Sequence, residues 1–89
     1  MKQEQKNKIE LQTTLGQIIK KYRLERKKSI SLISAEIGMT KSMWADMEKG
    51  IKDPQFSTLF RMSEGLDISL VKIIKELYEI LPEDFTFDN

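Results

Sequence analysis

Cysteine and histidine are both absent from the 89 residues, which excludes several kinds of chemistry at once. Without cysteine there is no disulfide framework and no thiol nucleophile, and without histidine there is no imidazole base. A zinc ion would find only carboxylate ligands in this chain. No spacing of Asp, Glu, Lys or Ser suggests catalysis, so we expect the protein to be no enzyme and to carry no metal or cofactor.

Long apolar runs are also absent from the sequence. No segment approaches the roughly 18–20 consecutive apolar residues of a membrane span, and the first residues lack the apolar stretch of a signal peptide. Hydrophobic residues make up 39% of the chain and charged residues 33%, as in a folded globular domain. We therefore expect one cytoplasmic domain that makes no membrane contact.

The charged residues are distributed unevenly, although the net charge is only +1. Through residue 52 the chain has twelve cationic and six anionic side chains, and from residue 53 it has three against eight. A basic half and an acidic half suit a protein that presents one side to a polyanion. An uneven solvated surface without function is the alternative.

Apolar residues recur at helical spacing along most of the chain, which predicts an all-α fold of five helices with an extended C-terminal helix. Residues 1–13 lack this period and are predicted to form a mobile N-terminal arm. Residues 14–81 are predicted to form the folded domain, with Thr14 capping its first helix. Residues 82–89, which begin with Pro82, are predicted to form an acidic tail.

The segment from Met39 to Glu48 has the most informative pattern. Gly38 ends the helix before it, and the Thr40 hydroxyl can cap a new helix. Trp44 and Met47 share the buried face of that helix. The opposite face carries short, polar or small side chains together with one long cation, namely Lys41, Ser42, Ala45 and Asp46. Such a face can lie close against another surface, and we interpret the segment as a recognition helix for the DNA major groove.

Two further features concern the interior and the assembly. Arg23 borders the apolar stripe of the first helix and needs a buried carboxylate, for which Glu48 is the candidate. The fifth helix has an apolar arc of about half its circumference, wider than the roughly 100° stripe of a surface helix. One side of it can pack on its own domain while the other forms a two-fold interface, for which the predicted residues are Val71, Ile74, Tyr78 and Leu81.

The sequence from Leu15 to about Leu70 resembles the Cro/Xre family of helix-turn-helix regulators. The residues that carry the resemblance are Arg23, Ser29, Ile33, Ile37, Gly38, Trp44, Glu48, Gly50, Pro54, Leu59 and Leu66. The resemblance implies a Cro/repressor-like DNA-binding fold in which Arg23 and Glu48 form the internal ion pair. The small size and long final helix are similar to those of restriction–modification controller proteins and small phage repressors, in which the last helix builds a homodimer.

The resemblance also implies where DNA is contacted. Base-reading positions fall on Lys41, Ser42 and Asp46, with Met43 and Ala45 nearby. Phosphate contacts fall at the starts of the second and third helices and in the following loop, on Ser29, Thr40, Lys49 and Lys52. Two residues depart from the family pattern: Ile30 replaces a common phosphate-binding Gln, and Asp46 replaces the more usual Gln or Arg.

The expected function is that of a transcriptional regulator, acting as a homodimer on palindromic double-stranded DNA. No effector domain follows the DNA-binding fold in this sequence, so we expect no small-molecule effector. The alternative is an antitoxin-like interaction module that keeps the fold but binds protein, for instance through the Phe85–Phe87 tail. Salt-dependent binding to duplex DNA separates the two hypotheses, because only the first predicts it.

Overall fold

The computed structural model describes residues 3–87, with side chains from residue 6 onward. Five helices follow one another, and the described residues contain no strand: α1 (Gln3–Glu25), α2 (Ile30–Glu36), α3 (Lys41–Lys49), α4 (Phe56–Gly65) and α5 (Leu70–Ile80). The predicted all-α fold of five helices is confirmed. Within the described residues, none of these helices has the length and apolarity needed to cross a membrane.

Hydroxyl side chains begin three of the five helices, including α3, for which the sequence predicts Thr40 as the cap. The side chains of Ser29, Thr40 and Ser69 accept hydrogen bonds from backbone N–H groups at 3.0, 3.1 and 3.1 Å. Each bond satisfies one of the backbone donors that a helix start leaves unpaired. Helix α4 begins after Gln55, which makes no such side-chain bond.

Left-handed residues end the first four helices. Gly38 and Gly50 have φ angles of 68° and 76°, and Lys27 and Asp67 adopt the same conformation at 56° and 55°. At the end of α3, the N–H groups of Gly50 and the next residue donate to carbonyls of the last helical turn at 3.1 and 3.0 Å. This pair of bonds is a Schellman motif, and it turns the chain sharply away from α3.

The hydrophobic core lies between the five helices. Helices α2 and α3 form the helix-turn-helix unit, and α1 packs against both α3 and α5. The most deeply buried side chains come from all five helices and the turn after α4: Ile18, Ile19, Ile33, Trp44, Met62, Leu66 and Ile73. Because α3 contributes Trp44 to this core, its orientation is fixed by the packing of the whole domain.

The N-terminal segment differs from the predicted mobile arm. Helix α1 begins at Gln3, and Thr14, which was expected to cap it, is buried in its middle. The added turns are held by tertiary contacts: the Gln12 amide donates to the Gly50 carbonyl at 3.0 Å, and Leu11 packs against the core. Residues 1 and 2 of the predicted arm lie outside the described residues, as do residues 88 and 89 of the predicted tail.

The acidic tail folds back toward the start of α1. The Asn7 amide donates to the backbone carbonyl of Thr86. The rings of Phe85 and Phe87 meet edge to face, with centroids 5.9 Å apart. Helix α5 itself ends at Ile80, one residue before the predicted boundary, and Leu81 leads into the tail.

A polar cluster joins α1 to α5. The Tyr22 hydroxyl donates to Glu76 Oε1 at 2.5 Å, and the Lys21 ammonium donates to Oε2 of the same carboxylate. These two donors, Lys21 first, lower the pKa of Glu76, and the carboxylate raises the pKa of Tyr22. Because the cluster engages Glu76, this carboxylate is held by its own chain, on the side of α5 that faces α1.

Candidate nucleic-acid interface

The inner face of α3 is fully occupied by the core. Trp44 is fully buried and Met47 is only 4% exposed. The Trp44 indole N–H donates to Glu48 Oε2 at 2.7 Å, one helical turn further on. A buried indole usually finds such a partner because leaving its N–H unpaired is costly. These contacts fix the rotation of α3 about its own axis.

The predicted ion pair between Arg23 and Glu48 is present in the structure. Arg23 Nε and Nη2 donate to the two carboxylate oxygens at 2.5 and 3.0 Å, and Nη1 donates to the Lys28 carbonyl at 2.9 Å. The side chains are only 10% and 6% exposed. The hydrogen bonds to Glu48 raise the pKa of the Arg23 guanidinium. This bidentate contact ties α1 to the last turn of α3.

Two glycines allow α1 and α3 to approach closely. A Cβ atom added to Gly16 would lie 2.5 Å from the carbonyl oxygens of Met47 and Glu48. A Cβ atom on Gly50 would lie 2.7 Å from the Cα atom of Thr13. The end of α3 therefore rests directly on the backbone of α1.

The outer face of α3 is open to solvent. Lys41, Ser42, Met43 and Lys49 are exposed, while Ala45 and Asp46 are half-buried. The first turn thus offers an ammonium group, a hydroxyl and a thioether, followed by a small residue and a carboxylate. The predicted base-reading side chains therefore point outward from one rigid helix.

The predicted phosphate-binding residues lie at the starts of α2 and α3, at the end of α3 and in the loop that follows. Ser29 and Thr40 begin α2 and α3, and both hydroxyl oxygens are exposed acceptors for the helix N–H groups. Lys52 lies in the loop before α4 and shares a cavity of about 300 Å³ with Met43. The structure therefore brings Lys52 beside the first turn of α3, although Lys52 and Met43 are nine positions apart in sequence.

Some positioning residues were not predicted from the sequence. Gly16 and Gln12 act through α1, where a glycine in a helix and a buried amide have no distinctive local signal. The Trp44–Glu48 bond follows an i, i+4 spacing that the sequence does show. The expectation that Trp44 belongs to the core did not include a hydrogen-bond partner for its indole.

The cations of this surface come from α3 and the loop after it. Helix α2 carries no basic residue. Its residues Ile30, Leu32 and Ala35 provide neither a charge nor a side-chain amide. Leu32 remains 49% exposed. Lys28, just before α2, pairs with Glu36 at its end, at 2.8 Å. Lys41, Lys49 and Lys52 therefore supply the positive charge beside the recognition helix.

Two short helices joined by a glycine turn, the second packed inward through Trp44 and open on its other side, define a helix-turn-helix nucleic-acid-binding fold. A sequence profile of the HTH_3 helix-turn-helix family matches residues 19–73, more than half of the chain. The protein belongs to this family. Family membership supports a DNA-binding transcriptional regulator, in agreement with the expectation from the sequence.

Two crystal structures of regulators have the same fold. The clp gene regulator ClgR from C. glutamicum matches with a TM-score of 0.75 and 15% identity, over 81% of this chain and 94% of that one. An HTH_3 family transcriptional regulator from Vibrio cholerae matches with a TM-score of 0.74 and 21% identity, over 90% of this chain. The match spans only 45% of the Vibrio protein. No curated protein sequence matches the chain.

Proposed function

We propose that the protein is a sequence-specific regulator that binds a palindromic operator as a homodimer, with α3 in the major groove. The observation that carries this proposal is the division of α3 into two faces. Trp44, Met47 and Glu48 fix the inner face by packing and hydrogen bonds, while Lys41, Ser42 and Met43 stand exposed on the outer one. A rigid helix with a low outer profile fits the roughly 12 Å width of the major groove.

Each outer residue has a role that its chemistry allows. Lys41, at the start of the helix, reaches a guanine edge or a phosphate, and Ser42 reads a neighbouring base. Met43 and Ala45 present apolar surface that can contact a thymine methyl group. Asp46 can accept from a cytosine amino group.

The surrounding residues hold the DNA backbone. Ser29 and Thr40 use their oxygen atoms to accept from helix N–H groups, which leaves each hydroxyl hydrogen free to donate to a phosphate oxygen. Lys49, in the last turn of α3, and Lys52, beside Met43, are both exposed, and they neutralise phosphates beside the reading helix. These contacts fix the register but carry no sequence information.

The homodimer is supported by the exposed side of α5. Val71 and Tyr78 are 76% and 77% exposed, while Ile74 and Leu81 are half-buried between them and the core. Contiguous apolar surface of this kind on a small domain is typical of an interaction site. A two-fold pairing through this stripe would present two α3 helices to one operator.

The experiment compares base-reading with phosphate-binding positions on a duplex selected from random sequences by the parent protein. Lys41→Ala and Ser42→Ala are expected to cost about 1–3 kcal/mol on that duplex and to relax specificity at one position each. Lys52→Ala is expected to weaken binding to all sequences and to reduce the salt slope by about one unit. Lys20→Ala, at an exposed position on α1, is the matched control and should change neither.

The outcomes separate the reading helix from a general basic surface. Loss of specificity only at Lys41 and Ser42, with uniform weakening at Lys52, supports the proposal. If Lys41→Ala and Ser42→Ala bind every sequence like the parent, α3 is not the reader. If the parent binds selected and random duplexes with equal affinity, the proposal is likewise contradicted.

A protein-binding function is the second candidate, and one observation favours it. Leu32, Met43 and Ile51 are 49%, 45% and 61% exposed, so α2, α3 and the next loop each present an apolar side chain. Exposed apolar residues near a recognition surface suit a protein partner as well as thymine methyl groups. Absence of salt-dependent duplex binding by the parent would place this candidate first.

A further inference from the structure

An apolar groove separates α4 from α5 on the surface away from the Tyr22–Glu76 cluster. It has a volume of about 520 Å³, and its walls are Phe56 and Phe60 on α4 and Leu70, Val71, Ile74 and the Lys75 side chain on α5. Phe56 is 74% exposed and Phe60 is 49% exposed. Neither phenylalanine is needed to fill the core, so the chain maintains two solvent-facing aromatic rings beside the exposed stripe of α5.

A protruding aromatic side chain lies on the same stripe. Tyr78 is 77% exposed and follows Val71 by two helical turns, so the groove wall and the tyrosine are roughly 10 Å apart along one face of α5. The surface therefore carries both a cavity and a side chain of the size to fill one. A two-fold interface requires this kind of self-complementary patch, because each feature must meet its counterpart on an identical surface.

We propose that the occupant of the groove is the partner's Tyr78 in a homodimer whose two α5 helices run antiparallel. The two-fold axis passes between Ile74 and Lys75, which places each Tyr78 at the level of Val71 on the other protomer. Phe56 and Phe60 then close over the inserted ring. This inference rests on the proposed homodimer and adds its geometry and its α4 residues.

The charges along α5 favour the antiparallel arrangement. Lys72 and Lys75 are exposed in the first half of the helix, and Glu79 is exposed in the second half. Glu76 is engaged by Lys21 and Tyr22 of its own chain. With the axis between Ile74 and Lys75, antiparallel helices bring Lys72 of each protomer within one helical turn of the level of the partner's Glu79, whereas a parallel pair in register would place each charge level with its own copy. Antiparallel helix dipoles also align favourably.

The size of the patch is consistent with a stable dimer. Aromatic side chains bury about 150–250 Å² each when enclosed. Phe56, Phe60 and Tyr78 are 74%, 49% and 77% exposed, so most of this area is available for an interface. Together they supply roughly half of the ~800 Å² per partner of a standard interface. The α5 stripe and its charged rim provide further contact area.

A charge-exchange experiment tests the antiparallel geometry by sedimentation equilibrium of the full chain. Lys72→Glu and Glu79→Lys, each alone, should raise the dimer dissociation constant by about ten-fold, because each creates two like-charge contacts. An equimolar mixture of the two variants should form a heterodimer about as tightly as the parent pairs with itself. Unchanged association of both single variants, or a mixture that fails to associate, would overturn the antiparallel arrangement.

Two apolar variants test the groove. Phe56→Ser and Tyr78→Ser should each raise the dissociation constant by at least ten-fold, because each loss counts twice in a two-fold interface. Leu24→Ser, at a 55% exposed position on α1, is the matched control and should leave association unchanged. All three side chains are exposed, so circular dichroism melting should show that the variants fold like the parent.

The outcomes distinguish this inference from the proposed function on which it depends. If the parent is a dimer and Phe56→Ser and Tyr78→Ser do not weaken it, the groove assignment fails while the homodimer stands. A parent that stays monomeric at 100 µM, with and without operator DNA, overturns both the groove and the homodimer. Sequence-specific reading by Lys41 and Ser42 is measured separately and can survive either result.

Discussion

Glu48 is the residue on which the position of the recognition helix depends most directly. Its carboxylate accepts from Arg23 Nε and Nη2 and from the Trp44 indole N–H, at 2.5, 3.0 and 2.7 Å. These donors come from α1 and from the core side of α3. A single buried side chain therefore links the reading helix, the first helix and the aromatic centre of the core. Charge-assisted hydrogen bonds of this kind are stronger than neutral ones.

Replacing Glu48 with Gln is expected to destabilise the domain by about 3 kcal/mol, because the Arg23 guanidinium remains buried without a counter-charge. The measurement is the free energy of unfolding from urea titration of the parent and the variant. Glu64→Gln removes an exposed carboxylate on α4 and should shift stability by no more than about 0.5 kcal/mol. Equal stability of Glu48→Gln and the parent would show that the pair contributes nothing to folding.

At the scale of single residues, the sequence predicted the features that depend on local chemistry. A cation at the border of an apolar stripe and a carboxylate at the end of α3 were enough to pair Arg23 with Glu48. The same reasoning placed Trp44 in the core but did not connect its indole to Glu48, although the two lie one turn apart. Gly16 has no distinctive sequence signal, because its role depends on which helix passes above it.

The close contact between α1 and α3 is the most important relation between helices for the site. Gly16 lies under the last turn of α3, where a Cβ atom would be 2.5 Å from two backbone carbonyl oxygens. Helix propensity alone favours Ala over Gly by about 1 kcal/mol. The collision outweighs this preference because backbone atoms, unlike a flexible side chain, cannot move aside without shifting the helix.

Gly16→Ala is therefore expected to lower stability by about 1–3 kcal/mol and to weaken operator binding by displacing α3. Ser57→Ala, at an exposed position on α4, is the matched control, since it also introduces the best helix former but at a solvent-facing site. Urea unfolding and fluorescence anisotropy on the selected duplex measure the two effects. A Gly16→Ala protein more stable than the parent would mean that α1 and α3 are not in this contact.

At the scale of helices, local signals predicted starts and stops better than lengths. The Thr40 cap and the Gly38 stop are both readable from the sequence, because hydroxyl acceptors and left-handed glycines act within a few residues. The N-terminal half of α1 was missed, since its polar sequence has no helical period. Its inward residues contact Gly50 and Thr86, which are distant in sequence.

At the scale of the whole molecule, the uneven charge of the sequence separates a basic group of helices from an acidic one. The basic part of the chain folds into α1–α3 and carries Lys41 and Lys49 beside the open face of α3, while the acidic part forms α4, α5 and the tail. Acidic surface near DNA would be repelled by phosphates. This distribution agrees with the proposal that the α2–α3 side binds DNA and the α4–α5 side pairs.

A rigid dimer paired through α5 predicts a strict spacing of half-sites. Two recognition helices related by a two-fold axis reach successive major grooves on one face of the duplex, about 34 Å apart. Inserting about five base pairs, half a helical turn, between the half-sites of the selected operator turns them to opposite faces. Only one protomer can then read its half-site, and affinity should fall about 100-fold, toward that of an isolated half-site.

An insertion of about ten base pairs restores the face but doubles the separation, and a rigid pair should not recover its affinity. The Tyr78→Ser variant provides the matched comparison, because a protein that no longer pairs should bind the parent and inserted operators with similar, weaker affinity. Fluorescence anisotropy titrations measure the affinity of the parent and of Tyr78→Ser for the selected operator and for each of the two inserted operators. If the parent protein binds the five-base-pair insertion as tightly as the selected operator, the two half-sites are not read by one two-fold dimer.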